Sequence, residues 1–332
     1  MFLWRCKVGV RILSIGSYLP ARILTNEDLE RMVETSDEWI VERTGIKERH
    51  IAAPEEATSD LAYNASLRAI EKAGITPEQI DGIIVATASP DYLFPATACI
   101  LQAKLGAKNA MCFDIEAACP GFVYALEIAR GLLSLPNYRY LLIVGAETLS
   151  RLVDFTDRNT CVLFGDGAGA AIVTKDDSES DVLASYLKGN GEVHELLKLP
   201  AGAARKPASE ETVRMREHYI KMQGREVFKY AVTGMQEAAE KVLERAGLTA
   251  TDVDWLVPHQ ANIRIIDATR ERLGISWDKV YVNIEKTGNT SAASIPIALA
   301  EMDERGLLKR GQRVLLVSFG AGFIYGAILL KW

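Results

Sequence analysis

The apolar positions of this chain change period several times, and the changes mark its elements. Lys7 to Ser14 alternates with period two and predicts a first strand. Short continuous apolar runs follow at Asp81 to Ala86, Tyr140 to Val144, Asp254 to Val257 and Val314 to Val317. Runs of that length, bounded by turn residues, predict strands buried on both faces. Between them lie longer segments with helical spacing, among them Arg225 to Ala246. Strands alternating with helices predict an α/β fold with parallel-rich sheets covered by helices.

The pattern is written twice. Glu71 to Val85 reads EKAGITPEQIDGIIV and Glu244 to Pro258 reads ERAGLTATDVDWLVP. RGLL at Arg130 recurs at Arg305, and RYLLIVGA from Arg139 matches RVLLVSFG from Arg313. Each copy ends a helix at Ala-Gly, where glycine takes a left-handed turn without a Cβ penalty. Two pseudo-symmetric halves follow, 1–178 and 179–332, divided in the polar run Lys175 to Asp181. Leu199 to Tyr219, rich in Ala, Gly, Pro and charge, reads as a surface excursion of lid type. Sites belong between the halves, at strand ends and helix N-termini.

Composition narrows the class. The 332 residues carry a net charge of −6. That argues against non-specific nucleic-acid binding, which needs a basic face. No apolar run reaches the roughly 18 residues of a membrane helix, and Arg5, Lys7 and Arg11 interrupt the apolar start, so the expected compartment is the cytoplasm. The five cysteines are scattered with no CxxC, which argues against a disulfide framework or a structural zinc.

Four segments could carry chemistry. In DIEAACPGFVYALEIARGLL, Asp114 to Leu133, Cys119 sits where a strand turns into a helix. Free backbone N–H groups and the helix dipole there favour a thiolate and are expected to lower its pKa; a buried packing cysteine is the competing reading. The repeat places Ala293 at the matching point of the second half. His259 follows a strand in LVPHQANIRII, and the other three histidines stand in polar contexts. Asn289 lies in a turn in EKTGNTSAASIPIALA, where a helix cap is the plainer use. Gly320, in VSFGAGFIYGAIL, could offer a backbone N–H to a ligand oxygen or link two strands.

ACPGF, PHQAN, GNTSAASIP and FGAGF, in this order and spacing, resemble the β-ketoacyl-acyl-carrier-protein synthase III family of the thiolase superfamily. So do SDEWIVERTGIKER from Ser36, FPATACILQAKLGA from Phe94 and TDRNTCVLFGDGAGA from Thr156. Pro120 departs from the usual alanine, at little cost, because a helix's first turn can spare an N–H. The resemblance implies a thiolase-like α-β-α-β-α fold and a decarboxylative condensation of an acyl-CoA with malonyl-acyl-carrier protein that initiates fatty-acid synthesis. It makes Cys119 the acylated nucleophile, the N–H groups of Cys119 and Gly320 the oxyanion hole, and His259 and Asn289 the donors to the malonyl enolate. Coenzyme A falls to Trp39, Arg43 and Arg158, with Trp39 and Arg158 sandwiching the adenine. The carrier protein falls to Arg264 and Lys229. A homodimer follows, with Phe94 reaching the partner's acyl pocket, and no metal or redox cofactor is called for. A hydroxymethylglutaryl-type synthase would need an acidic general base, a secondary-metabolite ketosynthase stays open, and the lack of GxSxG weakens a serine thioesterase. The acyl primer is not legible.

Overall fold

The computed structural model describes residues 9–176 and 181–332. The boundary between 178 and 179, Cys6, and Lys7 of the predicted first strand lie outside the described residues.

The first sheet contains β1 (Gly9–Tyr18), β2 (Gly82–Ala86), β3 (Met111–Ile115), β4 (Tyr140–Glu147) and β5 (Gly167–Asp176), ordered β1-β5-β4-β2-β3. The second contains β6 (Val182–Gly189), β7 (Trp255–Pro258), β8 (Arg313–Gly320) and β9 (Ile324–Lys331), ordered β6-β9-β8-β7. β2 pairs in parallel with β3 and β4, and β7 with β8; the remaining ladders are antiparallel. The sheets are therefore mixed rather than parallel-rich. Only β8 and β9 are joined by a tight turn, which forces them antiparallel.

The sequence repeat is a structural one. β4 and β8 each lie between a parallel and an antiparallel neighbour. In each half an aspartate just before the short strand hooks the start of its neighbour. Asp81 accepts from the Arg139 and Tyr140 N–H groups (2.7 and 2.9 Å), and Asp254 accepts from the Arg313 N–H (2.7 Å). The helices preceding these turns end at Gly74 and Gly247, with φ of 65° and 67°.

Five layers result. The first half supplies α1 (Asp37–Thr44), α2 (Thr58–Ala73), α3 (Thr97–Leu105) and α4 (Gly121–Leu133); the second supplies α5 (Gly224–Ala246), α6 (Ile263–Leu273) and α7 (Ser294–Glu304). α2 and α3 cover the outer face of the first sheet, and α5 and α6 that of the second. α4 and α7 fill the middle, where Phe122, Leu126, Ile295 and Leu299 pack against Ile143 of one sheet and Leu316 of the other. A helix pressed between two sheets must be apolar over most of its surface, as GFVYALEIARGLL is apart from the partly exposed pair Glu127 and Arg130. Its N-terminus is thereby fixed at the centre of the molecule. The excursion 199–219 is largely exposed, and Arg216 ties it down by gripping the Asp154 carboxylate through Nε at 2.7 Å. No helix of the described residues is long and apolar enough to cross a membrane.

Candidate active site

A cavity of about 640 Å³ opens between the halves and is lined by Cys119, His259, Asn289, Phe319 and Gly320. Each polar group is delivered by the end of a buried element. Beyond β3 the chain turns at Ala118, whose φ of 41° is unusual for a residue with a side chain. Cys119 follows and α4 starts almost at once, with Pro120 as its N-cap residue, where the missing N–H costs no ladder bond. Gly320, at the end of β8, lies so close that a Cβ there would stand 2.7 Å from the Cys119 nitrogen and 2.7 Å from Pro120 Cδ. The backbone at Gly320 is thus pressed against the cysteine turn.

The second half carries the same elbow without the nucleophile. Ser291 has a φ of 48°, answering Ala118, and α7 begins shortly after it. This shared left-handed residue aligns Cys119 with Ala292. The sequence register had pointed to Ala293; the short 3-10 turn Ser291–Ala293 ahead of α7 accounts for the difference of one residue.

His259 is fully buried and is anchored by its own N–H on the Val317 carbonyl (2.8 Å). Its Nδ1 lies 2.7 Å from Ser294 Oγ, while its Nε2 has no partner among the described residues, and the ring lines the cavity. The Ser294 oxygen also accepts from the Gln260 N–H (3.4 Å), so its hydroxyl proton is free to point at Nδ1. With Ser294 donating to Nδ1, the ring proton sits on Nε2 and is directed into the cavity. Burial pushes the His259 pKa down to about 3, which keeps the ring neutral. Asn289 accepts the Ser291 N–H at Oδ1 (2.9 Å), which leaves Nδ2 for a ligand. Two neutral donors therefore converge where a negative oxygen could develop.

Cys119 departs from the expectation drawn from its helix. Desolvation by its walls pushes its thiol up to about 12, although the side chain is only partly buried and lines the cavity.

Toward the mouth, Trp39 and Arg43 of α1 line the cavity with Arg225 and Arg264. The guanidinium groups of Arg43 and Arg158 lie 4.7 and 5.3 Å from the centroid of the Trp39 ring. Arg158 also donates to the Glu34 carbonyl (2.9 Å) and reaches the cavity only through its neighbour Asn159. A flat ring between Trp39 and Arg158 needs about 7 Å, twice the ~3.5 Å contact distance, so Arg158 has to swing outward to admit one. Arg264, at the start of α6, and Lys229, on α5, are exposed; Arg264 lines the mouth and Lys229 does not. Phe94 is 86 % exposed and stands outside the cavity, beside Leu93 and Tyr92. Sequence reasoning missed Arg225, Phe319, Ser291, Ser294 and Glu147. Ser291 and Ser294 stand inside the run GNTSAASIP and Phe319 opens FGAGF without being singled out there, and Glu147 ends the apolar run YLLIVGAE.

A thiol on a helix N-terminus, facing two neutral hydrogen-bond donors across a duplicated thiolase-like fold, defines a condensing acyltransferase. The 3-oxoacyl-[acyl-carrier-protein (ACP)] synthase III pattern matches residues 113–191, and its C-terminal counterpart matches residues 243–332. A β-ketoacyl-[acyl-carrier-protein] synthase III of Caldanaerobacter subterraneus is 56% identical, over 98% of each chain. The crystal structure of the 3-oxoacyl-[acyl-carrier-protein] synthase III of Aquifex aeolicus superposes with a TM-score of 0.90 at 48% identity, covering 98% of this chain and 100% of that one. The priming β-ketosynthase of the R1128 polyketide pathway superposes with a TM-score of 0.89 at 36% identity, covering 97% and 96%. The chain belongs to the β-ketoacyl-acyl-carrier-protein synthase III family, and it is a condensing enzyme of fatty-acid synthesis.

Proposed function

We propose that the chain joins an acyl-CoA primer to malonyl-acyl-carrier protein in two stages on Cys119. In the first, the Cys119 sulfur attacks the thioester carbonyl, coenzyme A leaves, and the acyl group stays on the enzyme. The carbonyl oxygen turns negative in passing and is met by the N–H groups of Cys119 and Gly320, on two backbones so close that a Cβ on Gly320 would stand 2.7 Å from the Cys119 nitrogen. In the second, the malonyl thioester loses carbon dioxide. His259 Nε2 and Asn289 Nδ2 hold the enolate oxygen, and the enolate carbon attacks the acyl-cysteine. Splitting one difficult step into two is what the covalent intermediate achieves. Every step uses protein groups and the two thioesters, with no metal or redox cofactor.

The observation that carries this reading is the pair of unshared donors, His259 Nε2 and Asn289 Nδ2, facing one cavity with Cys119. Coenzyme A rests on Trp39, Arg43 and Arg158. Arg264 and Lys229 receive the acidic carrier protein, since an enzyme of charge −6 needs a local cationic surface to meet one. A cytoplasmic homodimer belongs to the same reading. The edge strand β3 and the exposed apolar tip at Phe94 support it, with Phe94 entering the partner's acyl pocket. The test is direct. Acyl-CoA alone should add one acyl group per chain, mapped to Cys119, and adding malonyl-carrier protein should convert it to ketoacyl product. Acylation elsewhere, or hydrolysis in place of condensation, refutes the reading.

A further inference from the structure

The segment SDEWIVERTGIKER ends on Arg49, a charged residue that the two-stage reading does not use. Its side chain is completely buried and does not line the cavity. Among the described residues no carboxylate hydrogen-bonds it. Burial pushes its pKa down only to about 10, so the guanidinium stays charged at neutral pH. A buried charge is costly unless polar groups gather round it, and three oxygens do so from three parts of the chain. Arg49 Nη1 donates to the Leu24 carbonyl (3.1 Å), and Nη2 donates to Asn26 Oδ1 (2.9 Å) and to the Val162 carbonyl (2.9 Å).

The third of these bonds leads to the site. Val162 opens a short run, 162–165, that grips the backbone of Asn289 from both sides. The Asn289 N–H donates to the Leu163 carbonyl (2.8 Å), and the Gly165 N–H donates to the Asn289 carbonyl (3.0 Å). The stem of Arg49 presses on the same place. A Cβ on Gly165 would stand 3.1 Å from Arg49 Cβ, and one on Gly288 would stand 3.0 Å from it. The backbone on each side of the Asn289 turn therefore rests directly on Arg49. The bond to Asn26 is braced in turn, because Asn26 Nδ2 donates to Asp37 Oδ1 (2.8 Å) and to the Ile46 carbonyl (2.7 Å). Asp37 begins α1 and Ile46 lies just past its end, so the guanidinium is held from the side of the molecule opposite the Asn289 turn.

We propose that Arg49 is a positioning residue for malonyl decarboxylation: its planar fork fixes the run 162–165, and that run aims Asn289 Nδ2 at the enolate oxygen. The proposal rests on the enolate role of Asn289 given above. Arg49 touches no substrate. It acts because Asn289 has a single hydrogen bond to its side chain, from the Ser291 N–H to Oδ1, so the direction of Nδ2 follows the backbone that carries it. A planar group with donors spread along its edge can hold three separated oxygens at once, which a single ammonium nitrogen cannot.

The experiment compares carbon dioxide release from malonyl-carrier protein by the wild type, Arg49→Lys, Asn289→Ala and the double variant. Lysine keeps the charge and most of the stem and loses the fork. A misplacement near 1 Å at a reacting centre costs up to about a hundredfold, so Arg49→Lys should lower kcat about ten- to a hundredfold. The KM should move by less than about threefold, since the lost interaction is one made in the transition state. In the Asn289→Ala background there is no donor left to aim, and Arg49→Lys should cost no more than about threefold further. Decarboxylation by Arg49→Lys within threefold of wild type overturns the proposal. So does a loss that repeats in full in the double variant, which would make Arg49 a support of the fold at large. Should Arg49→Lys fail to fold, as judged by circular dichroism, Arg49→Gln, with no charge to bury, takes its place in the same cycle. Normal decarboxylation by Asn289→Ala would instead strike the enolate reading, and the proposal with it.

Discussion

Gly320→Ala is the smallest perturbation that reaches the centre of the site. The added methyl would stand 2.7 Å from the Cys119 nitrogen, 2.7 Å from Pro120 Cδ and 2.9 Å from Ala118 Cβ. Ordinary contacts begin near 3.5 Å, so about 0.7 Å of separation has to be found on three sides. Two of the three neighbours are a backbone atom and a proline ring, which cannot rotate away. The third sits on Ala118, already held at a φ of 41°. The strain is therefore relieved by pushing β8 and the start of α4 apart. Overpacking of this kind costs about 1–3 kcal/mol of stability. A shift approaching 1 Å at the reacting centre costs about a hundredfold in rate. The variant should stay folded, lose a few degrees in thermal midpoint, and acylate Cys119 about a hundredfold more slowly in a rapid-quench measurement. Acylation within threefold of wild type would show that the two backbones can part freely, and the oxyanion site drawn between them would be wrong.

Other outcomes follow from the same geometry. His259→Ala and Asn289→Ala should each cut malonyl-thioester decarboxylation by a hundredfold or more while sparing much of acylation; normal decarboxylation in either variant removes it from the enolate site. Because burial holds His259 neutral down to a pKa of about 3, decarboxylation by the acylated enzyme should not fall between pH 8 and about 5. A loss centred near the ordinary histidine value would mean that the ring is solvated. Arg264→Glu should raise the KM for malonyl-carrier protein strongly with little effect on acyl transfer from coenzyme A, and added salt should weaken the wild-type carrier reaction. An equal loss for both substrates would place Arg264 in the shared tunnel instead.

What was legible in the chain was what local sequence determines. The strand near Tyr140, the glycine caps at Gly74 and Gly247, and the repeat between Glu71 and Glu244 all follow from period and turn chemistry, and the structure has them within a few residues. Cys119, His259, Asn289 and Gly320 stood in recognisable motifs, and the fold brings them to one cavity. Sheet direction was misjudged because an apolar run reads alike in parallel and antiparallel ladders. The thiol's pKa was misjudged because the helix N-terminus is visible in sequence and the desolvating walls are not. Gly145 and Ala292 press together from positions 147 residues apart, and no local pattern reports such a pairing.

The Trp39 ring has company before any substrate arrives. A guanidinium over an indole is worth about 0.5–1 kcal/mol at an exposed site. Whatever flat group takes the place of Arg158 must first give that up, which lowers its affinity about two- to fivefold. On release, the guanidinium closes back onto the ring and competes with rebinding. For an enzyme that passes two thioesters in turn through one opening, this is an advantage of timing. On the reading that coenzyme A stacks there, the resting Arg158 would help to displace the first carrier before the second thioester arrives.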